Sequence, residues 1–359
     1  MTFIDRINQV RNMMKEKSIF GMYISSPENV FYLSGFTGFG DGRLFITNEK
    51  AYIITDFRYT IQVSEQCPDY ILISSNASNV NAISKIIDEE FISVVGFENT
   101  LISYIDYLNL TEKYKNITFV GIDNYFLNVR NIKDSIEAEY IRKACEISCK
   151  SLTEVISLIK PGAYEVDIAN ELEYKMKRNG ANDIAFDTIV ASGYRSALPH
   201  GVASTKKIEM GDAVTIDFGC KYNNYCSDMT RTFFVGEPSS EMKRIYEIVY
   251  EAQLAALDAY KPGMTGNELD NIAREIISKE GYGPNFGHSL GHGVGIEIHE
   301  GITIGPRNNN VIENGAVFSI EPGIYVENLG GVRIEDLVWA QGDCIYNMTK
   351  SFDKKMLVL

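Results

Sequence analysis

Hydrophobic positions in the first 125 residues switch repeatedly between two periods. Phe3 to Glu16 sets Ile4, Ile7, Val10 and Met14 at helical spacing. FGMYISS and NVFYLSGF follow as strand-like runs around a turn at Pro27-Glu28. RLFITNEKAYIITDFRY predicts a hairpin turning at Asn48-Glu49-Lys50. YILISS predicts a strand, Val80 to Phe91 a helix, SVVGFE a strand, Tyr104 to Tyr114 a helix and ITFVGI a strand. Such alternation predicts a compact α/β domain. It carries no Gly-rich phosphate loop, so nothing supports a nucleotide role. Asp56-Phe57-Arg58-Tyr59 ends a hydrophobic strand and is expected to be a structural ion pair or an interface, not a catalytic cluster.

A new pattern begins after residues 125–135. Asp134 and Glu137 form a capping box ahead of a long helix, Ser135 to Leu158, stopped by Pro161-Gly162. Further helices are expected at Glu165 to Arg178, Ser240 to Tyr260 and Asn267 to Lys279. The strand-like FDTIVASG leads into a loop, YRSALPHGVAS, that carries His200. The boundary divides the chain into 1–127 and 128–359.

Two segments of the second part resemble each other. Gly211, Ile216, Asp217 and Gly219 align at one offset with Gly315, Ile320, Glu321 and Gly323, and Lys-Pro-Gly opens a helix at both Lys160 and Lys261. Residues from about 140 to 340 therefore read as two related halves. In the first, a two-residue loop at Tyr222-Asn223 sets Asp217 directly opposite Asp228, with Cβ atoms about 4.5–5.5 Å apart. In the second, Glu321 and Glu335 bracket a turn at Asn328-Leu329-Gly330-Gly331 whose register the sequence leaves open. Paired carboxylates repel unless a cation lies between them. Four of them with a histidine suit two divalent cations about 3.5–4 Å apart.

Composition narrows the possibilities. A chain of 359 residues with 45% hydrophobic and 23% charged residues describes a two-domain globular protein. A net charge of −14 argues against nucleic acid or an anionic membrane as partner. No apolar run reaches transmembrane length and no signal-peptide core opens the chain. Six cysteines without a CxxC are expected to be reduced, in a cytoplasmic protein. The four histidines, His200, His288, His292 and His299, all lie beside the carboxylate segments. His292 stands in Gly-His-Gly, where flanking backbone can pass close to a metal. His299-Glu300 has no second histidine four residues on, so the zincin mechanism is absent.

PHG at 199–201, IDFG at 216–219, SDMTRT at 227–232, GHGVGIEIHE at 291–300, IEPGIY at 320–325 and GVRIED at 331–336 resemble the pita-bread metallopeptidases. Within them the match is to Xaa-Pro aminopeptidases and Xaa-Pro dipeptidases (prolidases). The resemblance implies an α+β chain: a C-terminal pita-bread fold with a pseudo-twofold repeat, preceded by a smaller α/β creatinase-like N-terminal domain. It implies that Asp217 chelates one metal, that Asp228 and Glu335 bridge two, and that His292 and Glu321 complete the ligand set of the second metal. Glu321 would also carry the nucleophile's proton. His200 and His299 match histidines that contact substrate or stabilise the tetrahedral intermediate. His288 matches a pocket-lining histidine, and Arg333 an arginine that orients the bridging groups. The implied cofactor is two divalent ions per subunit, Mn ahead of Co or Zn, and the implied assembly a homodimer. The implied substrate is a peptide with proline second, cleaved by an Xaa-Pro aminopeptidase, with the dipeptide-only prolidase as the alternative. Methionine aminopeptidases, creatinase-like amidinohydrolases and metal-free binding modules share the fold. They fit less well, since the N-terminal domain and all five ligand positions are present.

Overall fold

A computed structural model describes residues 1–74 and 79–359. The chain divides into two compact units, Met1–Phe126 and Leu127–Leu359.

The first unit is a six-stranded mixed sheet with helices. In chain order it holds α1 Phe3–Glu16, β1 Gly21–Ile24, α2 Pro27–Ser34, β2 Arg43–Thr47, β3 Ala51–Thr55, α3 Thr60–Gln66, β4 Ile71–Ser74, α4 Asn79–Glu89, β5 Val94–Phe97, α5 Tyr104–Lys113 and β6 Thr118–Gly121. The strand order is β4-β3-β2-β1-β5-β6. Two elements depart from the hydrophobic pattern. NVFYLSGF, expected as a strand, lies in α2, because the local signals for a helix are strong. Ser26 caps it by accepting from the Asn29 amide, Pro27 sits in its first turn, and Gly35 ends it at φ 74°. The short helix α3 had no apolar stripe to announce it. Ser75, expected at the end of β4, lies outside the described residues. The Asp56 cluster is a local ion pair: Arg58 Nη2 reaches Asp56 Oδ2 at 2.7 Å, and the Tyr59 hydroxyl donates to Asp41 Oδ2 at 2.6 Å.

The second unit adopts the pita-bread fold. After α6 Tyr125–Asn131, its first half holds α7 Ser135–Val155, α8 Glu165–Arg178, β7 Asp183–Ile184, β8 Ile189–Ser192, β9 Ala213–Phe218, β10 Cys220–Tyr222, β11 Tyr225–Cys226 and β12 Met229–Phe234. The second holds α9 Ser240–Ala259, α10 Gly266–Lys279, β13 Gly291–His292, β14 Thr303–Ile304, β15 Val317–Ile320, β16 Gly323–Val326, β17 Gly330–Arg333, β18 Asp336–Gln341 and β19 Cys344–Asn347. Each half packs two helices on one face of its strands. Val214, Ile216, Phe218, Met229 and Phe233 join α7 and α8 in one core. Phe318, Ile320, Val332 and Ile334 join α9 and α10 in the other. Since side chains alternate along a strand, Thr215, Asp217, Thr230 and Thr232 must face away from the first core. Ser319, Glu321, Arg333 and Glu335 likewise face away from the second.

Candidate metal centre

The hairpin that carries Asp217 and Asp228 turns one residue later than expected. Tyr222 pairs with Tyr225, so the two-residue loop is Asn223-Asn224, with φ 47° and 65°. Positive φ at both central residues is the turn that matches strand twist, and Asn tolerates it. The register moves by two, and Asp217 stands opposite Thr230 instead of Asp228. A shift of two preserves the face, so both aspartates still point the same way. Asp228 sits where the ladder opens between β11 and β12. The opening needs Gly219, because a Cβ there would stand 1.9 Å from the Ser227 carbonyl oxygen. In the second half Ile320 pairs with Asp336 and Gly323 with Arg333. The two ladders share one register, which sets Glu321 opposite Glu335 in the gap between them. Asn328 at φ 63° and Gly330 at φ 147° close the turn.

Side chains from both halves converge. His200, Asp217, Asp228, His288, His292, His299, Glu321, Arg333 and Glu335 all line one cavity of ≈ 910 Å³. Asp228, His292 and Glu335 offer one ligand atom each within 4.8 Å of one another. His292 Nε2 lies 3.3 Å from Glu321 Oε1 and 3.5 Å from Asp228 Oδ2. Its Nδ1 is 3.2 Å from the Gly293 carbonyl, which can only accept, so Nδ1 carries the proton of the neutral ring. Burial, with the nearby His299, pushes the His292 pKa down to about 4. A neutral imidazole thus aims a lone pair at two carboxylates. The flanking glycines serve the backbone rather than a metal. A Cβ on Gly291 would meet the Ser319 carbonyl oxygen at 1.9 Å, and one on Gly293 the Glu300 carbonyl oxygen at 2.0 Å.

The electrostatics match a cation site. Burial, followed by the Glu335 and Asp217 charges, holds the Asp228 carboxyl well above its usual range. Burial, then Glu321 and Asp217, does the same to Glu335. Burial raises Glu321 too, with Asp217 adding and Arg333 opposing. Asp217 Oδ1 is buried without a hydrogen-bond partner. Three carboxyls raised by burial and by their acidic neighbours, an orphaned carboxylate oxygen on Asp217 and an imidazole lone pair fit divalent cations held by oxygen and nitrogen ligands.

Outer contacts hold these groups. The Thr230 hydroxyl donates to Glu335 Oε2 at 2.7 Å, and Ser319 Oγ donates to Glu321 Oε1 at 3.1 Å. Arg333 Nη2 donates to Asp217 Oδ2 at 2.7 Å and its Nη1 to the Tyr325 hydroxyl at 2.7 Å. His288 places Nδ1 at 2.8 Å from the Ser289 carbonyl and Nε2 at 3.0 Å from the Tyr325 hydroxyl. Nδ1 therefore carries the proton, and Tyr325 donates to Nε2. Thr230 and Tyr325 stand inside the motifs that carried the resemblance, yet nothing in their residue type announced these roles. Asp336 was likewise passed over. It accepts from Arg231, Gln253, Asn347, Thr349 and Lys354 on the far side of the strand from Glu335.

Fold and site together define a metallopeptidase. The model of metallopeptidase family M24 matches residues 139–341, and that of the creatinase/prolidase N-terminal domain matches residues 6–132. The chain is 44% identical to a Xaa-Pro dipeptidase of Pyrococcus furiosus, across 97% of this chain and 98% of that one. Among solved structures it superposes on a Xaa-Pro dipeptidase from Bacillus anthracis with TM-score 0.95, 40% identity and 100% coverage of both chains. An X-Pro aminopeptidase from Thermotoga maritima gives TM-score 0.92 at 39% identity, covering 98% of this chain and 99% of that one. The chain belongs to metallopeptidase family M24, and it is a hydrolase. The named relatives reverse the expected order of substrates: they favour the dipeptidase alternative over the aminopeptidase reading. No helix among the described residues is long and apolar enough to cross a membrane.

Proposed function

We propose that this protein is a Xaa-Pro dipeptidase that hydrolyses the bond between an N-terminal residue and a C-terminal proline. The observation that carries the reading is the convergence of Asp217, Asp228, His292, Glu321 and Glu335 on one cavity where, among the described residues, Arg333 is the only Lys or Arg side chain. The similarity to named dipeptidases over nearly the whole chain supports it. The Xaa-Pro aminopeptidase is the second reading, favoured by the likeness to the Thermotoga maritima structure.

Asp217 would hold one cation, His292 and Glu321 the other, with Asp228 and Glu335 between them; Mn comes first, then Co or Zn. Such a pair supplies Lewis acidity toward the scissile carbonyl and toward water at neutral pH. The protein's own groups do the rest. An Xaa-Pro bond has no N–H to grip and a fixed φ, so recognition falls on the proline ring and the termini. Phe186, Ile189 and Ile298 give the cavity apolar wall for a ring. Arg333 orients Asp217 through their ion pair and presents the cation nearest a free carboxylate. Glu321 takes the attacking water's proton and delivers it to the departing proline nitrogen. His200 and His299 donate to the oxygen that gains charge. The substrate is thus a proline peptide, and the working form a homodimer in the cytoplasm.

The test is hydrolysis by the Mn-loaded protein of Ala-Pro and Ala-Pro-Ala, with Ala-Ala-Ala as control. Cleavage of Ala-Pro alone is expected. Equal cleavage of the tripeptide makes the enzyme an aminopeptidase, and cleavage of neither proline peptide removes the proline assignment.

A further inference from the structure

A buried carboxylate outside the metal cluster lies behind the loop that carries His200. Glu165, the first residue of α8, is fully buried. Its Oε1 accepts from the Ser192 amide at 2.7 Å and the Ser192 hydroxyl at 2.8 Å. Its Oε2 accepts from the Ser204 amide at 3.1 Å, from the Ser204 hydroxyl at 2.6 Å and from Arg195. Ser192 ends β8, and Ser204 lies twelve residues further on. One side chain therefore ties both ends of the 192–204 segment. Arg195 is held from within the segment and passes the restraint on, since its Nη2 donates to the Val202 carbonyl at 2.9 Å, just past His200.

Beyond these bonds the segment's second half is held by an antiparallel bridge between Val202 and Ile189 and by Arg333 Nη1 on the Pro199 carbonyl at 3.3 Å. After a single 3₁₀ turn at Gly193–Ala197 it has no helix or strand, and His200 is exposed at the cavity's edge. A carboxylate has about four lone-pair sites, and here all are engaged by five donors, one of them cationic. An amide in its place removes the charge from a largely buried guanidinium's partner and sets an NH2 donor against the donors on one side. The same device recurs at α10 in the other half. Buried Asp270 accepts from the Leu290 amide at 2.9 Å and pairs with Arg274, which donates to the carbonyls of Phe286 and His288 at 2.9 and 2.8 Å. Each half thus uses a buried acid on its second helix, paired with an arginine from the loop (Arg195) or from the helix itself (Arg274), to hold a histidine-bearing loop.

We propose that Glu165 is a positioning residue for His200: its carboxylate holds residues 192–204 so that the imidazole stands at the substrate side of the cavity. The inference rests on the reading of His200 as a group that contacts substrate. Glu165 itself touches neither substrate nor metal ligand.

The test compares Glu165→Gln, His200→Ala and the double variant in the Mn-loaded protein, with hydrogen exchange and Ala-Pro kinetics side by side. The amides of Leu198 and of residues 200–203 should exchange at least about tenfold faster in Glu165→Gln, with metal content unchanged. The kcat should fall on the order of ten- to a hundredfold, as misplacement of a reacting-side group does. In the His200→Ala background the same substitution should change kcat less than about twofold, because residues acting through one another are non-additive. Equal losses in both backgrounds overturn the proposal, as does unchanged exchange. Should Glu165→Gln fail to fold, Arg195→Gln enters the same cycle with the same expected non-additivity. Wild-type protein that leaves every Xaa-Pro peptide intact would refute the dipeptidase reading, and the exchange measurement would still decide whether Glu165 holds the loop.

Discussion

Thr230 and Glu335 join the two halves of the catalytic unit twice. The Thr230 hydroxyl donates to Glu335 Oε2 at 2.7 Å, and the Glu335 amide donates back to the Thr230 carbonyl at 3.1 Å. The same hydroxyl accepts from Arg333 Nε at 3.1 Å. A single side chain on β12 therefore orients a carboxylate and a guanidinium that come from the other half. Thr230→Val keeps the shape and removes the hydroxyl. Glu335 should then lose its orienting donor, and metal affinity should fall about 10–100-fold. Calorimetric titration with Mn checks this, with the melting temperature as the control for folding.

The cluster carboxylates should matter more than any outer contact. Asp228→Ala or Glu335→Ala should abolish Ala-Pro hydrolysis and metal binding together. The loss should exceed the ~100-fold that removal of an outer partner costs. Elemental analysis and turnover, measured on the same preparation, decide it. Normal turnover in either variant would refute the two-cation scheme.

Glu300 sets an acid limit on stability. It is buried between Arg130 and Lys133, with Lys133 Nζ at 2.9 Å from its Oε1. Burial alone would raise its carboxyl, but Lys133 and then Arg130 outweigh burial and hold it below its ordinary 4.5. A depressed folded value means that the ionised form is preferred in the fold. Its contribution is complete above the unfolded value and is lost as pH falls through the folded one. Glu300→Gln should cost about 3–5 kcal/mol at neutral pH, since it takes the charged partner from buried Lys133 and one of two carboxylates from buried Arg130. It should also flatten the decline of melting temperature below pH about 4.5, the unfolded value. A parallel decline in both proteins would rule out this pair as the source.

Gly219→Ala tests the opening in the first hairpin. The added methyl would press on the Ser227 carbonyl, which is backbone and cannot rotate away. Displacing it moves Asp228, the next residue. The expected result is destabilisation of about 1–3 kcal/mol or more, with metal content lost in whatever folds. Thermal melts and metal analysis read both effects.

Much of this was legible in the linear chain. The capping box at Asp134 and Glu137 forms as expected, with the Asp134 side chain accepting from the Ile136 and Glu137 amides. Helices α8 and α10 fall where the apolar stripes put them, and the repeated Gly-x-x-x-x-Ile-acid pattern of the two halves marks real strands. The failures were local and share a cause. NVFYLSGF has enough β-branched and aromatic residues to read as a strand, but a capping serine and a proline set the backbone before the apolar pattern can act. In the first hairpin either adjoining pair, Tyr222-Asn223 or Asn223-Asn224, could turn the chain. The tolerance of asparagine for positive φ at both central positions chose the latter.

Residue type and period suffice to say that four carboxylates lie in two related strand pairs, with the histidines beside them. A two-residue change in strand register is invisible to that logic, because it leaves every face unchanged. That Thr230 of one half orients Glu335 of the other depends on how the halves pack. The placement of Glu165 behind the His200 loop depends on how α8 packs against the end of β8 within the first half. The contacts behind both join residues 27 to 105 positions apart, and no local periodicity encodes a distance across such a gap.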